Sequence, residues 1–161
     1  MRPQHYKLPK SMRGAVAVEF ALLLIPMLML ALGAAEFGRA LYQYNTLVKA
    51  TRDAVRHLSQ RNPTETGYSQ AQTEAQCLAV HGNTGCTGQP LAPGLTTGLV
   101  SIKHYANVAT GTSLVPGPPI NLVEVGITGY TFNFILDPRA FLGGGESSLT
   151  FGDIRATMRQ S

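Results

Sequence analysis

Few side chains in this sequence have the type and spacing to do chemistry, and the foremost is a carboxylate in an unfriendly solvent. Glu19 sits near the start of an apolar run from Ala15 to Ala35. An ionised side chain at the centre of a bilayer costs about 2.5–3.5 kcal/mol on insertion scales, so an acid in such a run signals a use. The alternative is a plain anchor helix whose incidental acid reaches back to the headgroups. The other reactive pair is Cys77 and Cys86, the only two cysteines. Their Cys-x8-Cys spacing is not the Cys-x-x-Cys of a redox centre. With His81 they offer three ligands, short of a tetrahedral metal set. His5, His57, His81 and His104 are scattered, and no nucleophile, base and orienting group cluster in the sequence. Gly143-Gly144-Gly145-Glu146 lacks the Lys-Ser/Thr of a phosphate-binding loop and reads as a joint. The sequence therefore predicts no catalytic residue, no metal, no cofactor and no small-molecule substrate: not an enzyme.

Charge and hydropathy say where such residues must sit. The first fourteen residues carry Arg2, Lys7, Lys10 and Arg13, four of the thirteen Lys+Arg, and no acid. The nine basic residues that follow balance all nine acids, so the net charge of +4 lies in the leader. A nucleic-acid binder would carry its excess on the folded domain; nucleic acid is excluded as a partner. The 21 residues of Ala15–Ala35 suffice to cross a bilayer as a helix, which needs about 20. The positive-inside rule then puts residues 1–14 in the cytoplasm and the rest outside. Ala34-Ala35-Glu36 could imitate a secretory cleavage site, which leaves a removed signal peptide as an alternative. Outside the cytoplasm, Cys77 and Cys86 are expected to form a disulfide closing a ten-residue loop.

Three kinds of element follow. Apolar positions continue past the membrane run as Phe37, Leu41, Tyr44, Val48, Thr51, Val55 and Leu58, with Ala40, Leu47 and Ala54 beside them. That spacing predicts one packing face on a helix continuing to Gln60, with Arg39 and Gln43 off it. Pro26 is expected to bend the helix and Asn62-Pro63 to end it. Tyr42 and Tyr44 suit an interfacial aromatic belt, with packing as an equal alternative for Tyr44. A short helix is predicted over Gln70–His81, with a Ser69/Gln72 capping box and Gly82 as its stop. Strands are predicted over Leu99–Tyr105, Leu122–Leu136 and Ser148–Met158, with a turn-rich connection from Thr110 to Pro119. The alternation of Val123, Val125 and Ile127 changes parity to Tyr130, Phe132 and Phe134, which predicts a bulge or twist near Gly129. Asp137-Pro138 is expected to open a helical turn over Arg139–Leu142. The fold class is α+β: a long N-terminal transmembrane and amphipathic helix packed on a small antiparallel sheet of about three strands, with a short second helix.

Basic residues before Gly14, then Glu19-Phe20-Ala21 five residues on, then an apolar run, together resemble the N-terminal signal of type IV pilin-like precursors. The Glu-Phe-Ala form is similar to that of the TadE-like minor pseudopilins of Tad (Flp) pilus systems. So are Glu36-Phe37-Gly38-Arg39, the Val123–Phe132 strand and the Ala156–Arg159 ending, although the chain finishes Arg159-Gln160-Ser161 without an acid. The resemblance implies cleavage between Gly14 and Ala15 by a prepilin peptidase, with Glu19 and Phe20 as assembly and recognition residues. It implies three parts: a cleaved leader (1–14), a transmembrane segment (15–35) and an extracytoplasmic head (36–161) that includes the helix continuation 36–60. It also implies a single-pass protein of the bacterial inner membrane with a periplasmic head. Its partners would be the peptidase, membrane lipid, related minor pseudopilins and the pilus assembly machinery, in assembly, adhesion or secretion. The major pilins of such systems are much shorter, so the head argues against a bulk filament subunit. The competing expectation is an uncleaved single-pass anchor carrying a binding module or an enzyme.

Overall fold

The structure, a computed structural model, describes residues 10–113, 115–135 and 147–161, the first four by backbone alone. The basic side chains of the leader, His5, the turn expected at 139–142 and the joint at 143–145 lie outside the described residues.

The chain divides into two units. The first holds α1 up to Gly38 together with Ile135. Helix α1 runs Lys10–Ser59 and contains Pro26. In this unit its apolar side chains face outward, from Val16 (63% exposed) to Leu30 (75%).

The second unit holds the rest of α1, α2 (Tyr68–His81) and five strands: β1 (Val100–Thr112), β2 (Val115–Ile127), β3 (Thr131–Asn133), β4 (Ser148–Thr150) and β5 (Ile154–Gln160). One antiparallel sheet has the order β1-β2-β5 and a second pairs β3 with β4. Alternation along β2 buries Val123, Val125 and Ile127 on one face, beside Ile154 of β5. That face closes over Leu47, Ala54, Val55 and Leu58 of α1 and over Ala71, Ala75, Ala79 and Val80 of α2. The predicted fold class is the one observed.

Several local expectations fail for identifiable reasons. The buried face of α1 in the head is Ala40, Gln43, Leu47, Ala50, Thr51, Ala54, Val55 and Leu58. Six of these, Ala40, Leu47, Thr51, Ala54, Val55 and Leu58, belong to the predicted stripe and its flank; toward the N-terminal end the face lies one residue aside, so Leu41 and Tyr44 are exposed and Gln43 is buried. In the first unit Glu36 is buried and Phe37 is 65% exposed. The capping box does not form. Gly67, at φ 99°, precedes the first turn of α2 without a side-chain cap, which puts Ser69 inside the helix. Gly82 does end α2, at φ 72°, a left-handed conformation that suits a residue without Cβ. Thr110–Pro119 is the far end of a hairpin rather than a loop. The parity change at Gly129 is the chain leaving one sheet for the other, and the last predicted strand is two, β4 and β5, one in each sheet.

Candidate functional site

The predicted processing and assembly residues stand together on α1. Gly14, Ala15, Glu19 and Phe20 are helical and exposed. A Cβ placed at Gly14 would meet nothing within 4 Å. Ala15 and Glu19 are four residues apart, so they share a face about 6 Å apart along the axis. Around them Val16, Val18, Leu22, Leu23 and Ile25 are each at least 59% exposed. So much apolar surface side by side is stable only in an apolar solvent or against apolar partners. Among the described residues this is the one helix long and apolar enough to cross a membrane.

The next turns of α1 use polar residues differently. In the first unit Glu36 Oε2 accepts the Ile135 N–H at 3.4 Å. In the second, Arg39 donates to the Asn133 carbonyl at 2.6 Å and lies 4.2 Å over the Phe132 ring. A guanidinium on an aromatic face with a carbonyl in reach is held by charge and by packing at once. Buried Gln43 accepts the Tyr130 hydroxyl at 2.8 Å, and that hydroxyl also lies 3.1 Å from the Pro93 carbonyl. Burial pushes the Tyr130 phenol above its ordinary value, and the charge of Arg39 opposes the shift. Around these groups stack the rings of Tyr130, Phe132, Phe134 and Phe151, with Tyr44 edge-on to Phe151 at 5.7 Å. Hydropathy alone missed Gln43 and Arg39. The signal for them was the spacing of Ala40, Leu47 and Ala54, flank residues that prove to be the centre of the buried face.

At the other end of α1, Gln160 is 4% exposed. Its amide donates toward the carbonyls of Leu58 (3.4 Å) and Arg61 (3.2 Å) and to the Tyr68 hydroxyl (2.6 Å). The last carbonyls of a helix have no partner within it, and here a side chain from β5 supplies one. His104 lies against the same group, with Nδ1 3.4 Å from Gln160 Oε1 and Nε2 3.2 Å from the Gln72 amide. A neutral ring carrying its hydrogen on Nδ1 satisfies both contacts. His57 and Glu74, 3.0 Å apart, link α1 to α2. His81 Nδ1 is 3.2 Å from the Gly88 carbonyl.

Cys77 and Cys86 form the expected disulfide, with Cα atoms 4.7 Å apart. It ties the last turns of α2 to the loop after Gly82. Among the described residues no three His, Cys, Asp or Glu side chains are grouped to hold a metal ion.

No curated protein and no solved structure matches the chain. A family model described as TadE-like protein matches residues 14–56. The matched stretch covers just over a quarter of the 161 residues and lies wholly within α1. The chain is thus similar to TadE-like proteins along the helix that carries Gly14, Glu19 and Phe20.

Proposed function

We propose that this chain is a minor pseudopilin of a Tad (Flp) pilus system, a structural or priming component without enzymatic activity of its own. A prepilin peptidase cuts between Gly14 and Ala15 and removes the basic leader on the cytoplasmic side of the inner membrane. Residues 15–35 hold the product in the bilayer, and the head, residues 36–161, lies in the periplasm. The observation that carries the reading is the TadE-like match over residues 14–56. It takes in the apolar run of residues 15–35, whose side chains from Val16 to Ile25 face outward around the single acid of that run, Glu19.

The chemistry follows from the spacing. Cutting creates an amine at Ala15, one helical turn before Glu19 on the same face. When processed helices stack side by side, Glu19 of one meets the new amine of the next, and the cost of an unpaired acid in hydrocarbon (about 2.5–3.5 kcal/mol) is offset by pairing. Related pseudopilins and the assembly machinery are the partners this role requires. The test is the intact mass and N-terminal sequence of protein extracted from membranes of cells with an active maturation peptidase. A chain beginning at Ala15 is the expected result. Met1 would make it a plain anchor, and Glu36 a secreted product; either overturns the reading.

A further inference from the structure

The two sulfurs of the disulfide belong to residues in unlike surroundings. Cys77, on α2, is 3% exposed. Cys86, in the loop beyond Gly82, is exposed, and so are its neighbours Thr84, Gly85, Thr87 and Gly88. Thiol–disulfide exchange needs a thiolate to reach the sulfur it attacks, so access decides which end of the bond an outside partner meets. Here that end is Cys86.

The loop is also tied to α2 without the sulfurs. Asn83 grips Thr87 with both ends of its amide. Its Oδ1 accepts the Thr87 N–H at 3.1 Å and the Thr87 hydroxyl at 3.2 Å, and its Nδ2 donates to the Thr87 carbonyl at 2.8 Å. The same Nδ2 donates to the carbonyl of His81, the last residue of α2, at 3.2 Å. His81 Nδ1 lies 3.2 Å from the Gly88 carbonyl, and the Leu91 N–H donates to the Val80 carbonyl at 2.8 Å. Beyond the loop, Ala92 and Leu95 are buried in the core. Cys86 itself has a φ of 52°, a left-handed backbone that few residues with side chains adopt. Gripped on its far side at Thr87 and tethered on its near side at Asn83, Cys86 stays beside α2 when its bond is open. Holding two reacting groups in place raises their effective concentration, and that quantity governs how readily the pair closes.

We propose that the Cys77–Cys86 bond closes and opens in the folded head, with Cys86 as the sulfur that exchanges with an external disulfide and Asn83 as the residue that positions it. In closure the Cys86 thiolate attacks one sulfur of the external disulfide, R–S–S–R. A Cys86–S–R bond forms, the external S–S bond breaks and the first R–S⁻ leaves. The Cys77 thiolate then attacks the Cys86 sulfur, the Cys77–Cys86 bond forms and the second R–S⁻ leaves. Two protein thiols are oxidised, one external disulfide is reduced, and the two protons lost by the cysteines pass through solvent to the two R–S⁻. Opening is the reverse: an external thiolate attacks Cys86 and Cys77 is the leaving group. The inference does not rest on the membrane role proposed above.

The experiment uses the full chain in detergent micelles. Reduced wild type is expected to keep its near-ultraviolet circular dichroism and to take its first maleimide label on Cys86, with Cys77 slower by about tenfold or more. Cys77→Ser should form a mixed disulfide with oxidised glutathione, and Cys86→Ser should do so about tenfold more slowly until urea unfolds it. A Cys-x-x-Cys oxidase offered in parallel separates a protein source of the disulfide from a small-molecule one, by which forms the adduct faster. Asn83→Ala should leave adduct formation on the Cys77→Ser background unchanged. In a glutathione buffer, however, it should shift wild-type closure about tenfold toward the thiols, what one or two net hydrogen bonds supply. Asn83→Asp, which keeps the acceptor, should recover part of that shift. Should a variant fail to fold, peptide mapping of the first label on reduced wild type answers the same question. A head that unfolds on reduction overturns the proposal. So does a first label on Cys77, equal adduct rates in the two serine variants, or Asn83→Ala closing like wild type.

Discussion

Removing one oxygen from Tyr130 probes the packing of the head most directly. Tyr130 is 2% exposed, and its hydroxyl lies 2.8 Å from Gln43 Oε1, itself on a residue 8% exposed. Tyr130→Phe keeps the ring against Phe151 and strips the donor from both Gln43 and the Pro93 carbonyl. A buried acceptor left without its donor costs about 1–3 kcal/mol. For a head of this size that is a fall of roughly 4–12 °C in melting temperature. Gln43→Leu should cost less, because the hydroxyl keeps the Pro93 carbonyl. The double variant should be more stable than the two single losses summed, by about 1 kcal/mol, since an apolar pair leaves nothing unsatisfied between them. The assay is denaturant unfolding of the full chain in micelles, followed by near-ultraviolet circular dichroism. High pH gives a second reading. Below pH 10.0, the ordinary phenol value, Tyr130 is neutral folded and unfolded. As pH rises past it the unfolded chain ionises first, so stability falls from there up to the raised folded-state value. Tyr68 is raised by burial as well and contributes in the same direction. Tyr130→Phe should therefore show a shallower fall above pH 10 than wild type. A loss below about 0.5 kcal/mol, or strictly additive single variants, would refute the buried-pair reasoning.

Replacing Cys77 and Cys86 together by serine should lower stability by about 2–3 kcal/mol, the chain-entropy value for a loop this short, measured in the same unfolding assay. A reducing agent should match the effect in wild type and add nothing in the variant. Glu19→Ala should enter the membrane fraction and fold normally, yet fail to join assembled fibres; piliation at the wild-type level would remove the pairing role proposed for this acid.

How far the sequence reached depended on whether the deciding partner was near in the chain. The outward apolar run with its single acid is a local pattern, and it was legible residue by residue. So were the disulfide, the glycine that ends α2 and the change of parity at Gly129. The buried face of α1 was legible in its second half, at Thr51, Val55 and Leu58, and not in its first. Hydropathy favoured Phe37, Leu41 and Tyr44 over Glu36 and Gln43, because the groups that satisfy the polar pair, the Ile135 N–H and the Tyr130 hydroxyl, lie more than eighty residues away. Burial of a polar side chain is decided by its partner, and periodicity does not see partners. The capping box failed for a related reason: Gln72 turns to His104, across the fold, rather than back to its own helix. The far end of the hairpin was misread because Pro and Gly between Thr110 and Pro119 signal turns, whereas an edge strand tolerates proline where no ladder bond is required.

The order of strands also sets a timetable for the head. The β1–β2 hairpin can close early, since its halves are neighbours in the chain. The seam on the other side of β2 waits for Ile154–Gln160, and the core face of α1 waits with it. Closing such distant contacts is slow compared with zipping a hairpin. A chain that had closed its hairpin before Ile154–Gln160 arrived would leave that helix face bare and one flank of its central strand vacant. In that interval a cell's holding chaperones and proteases would find it easiest to seize.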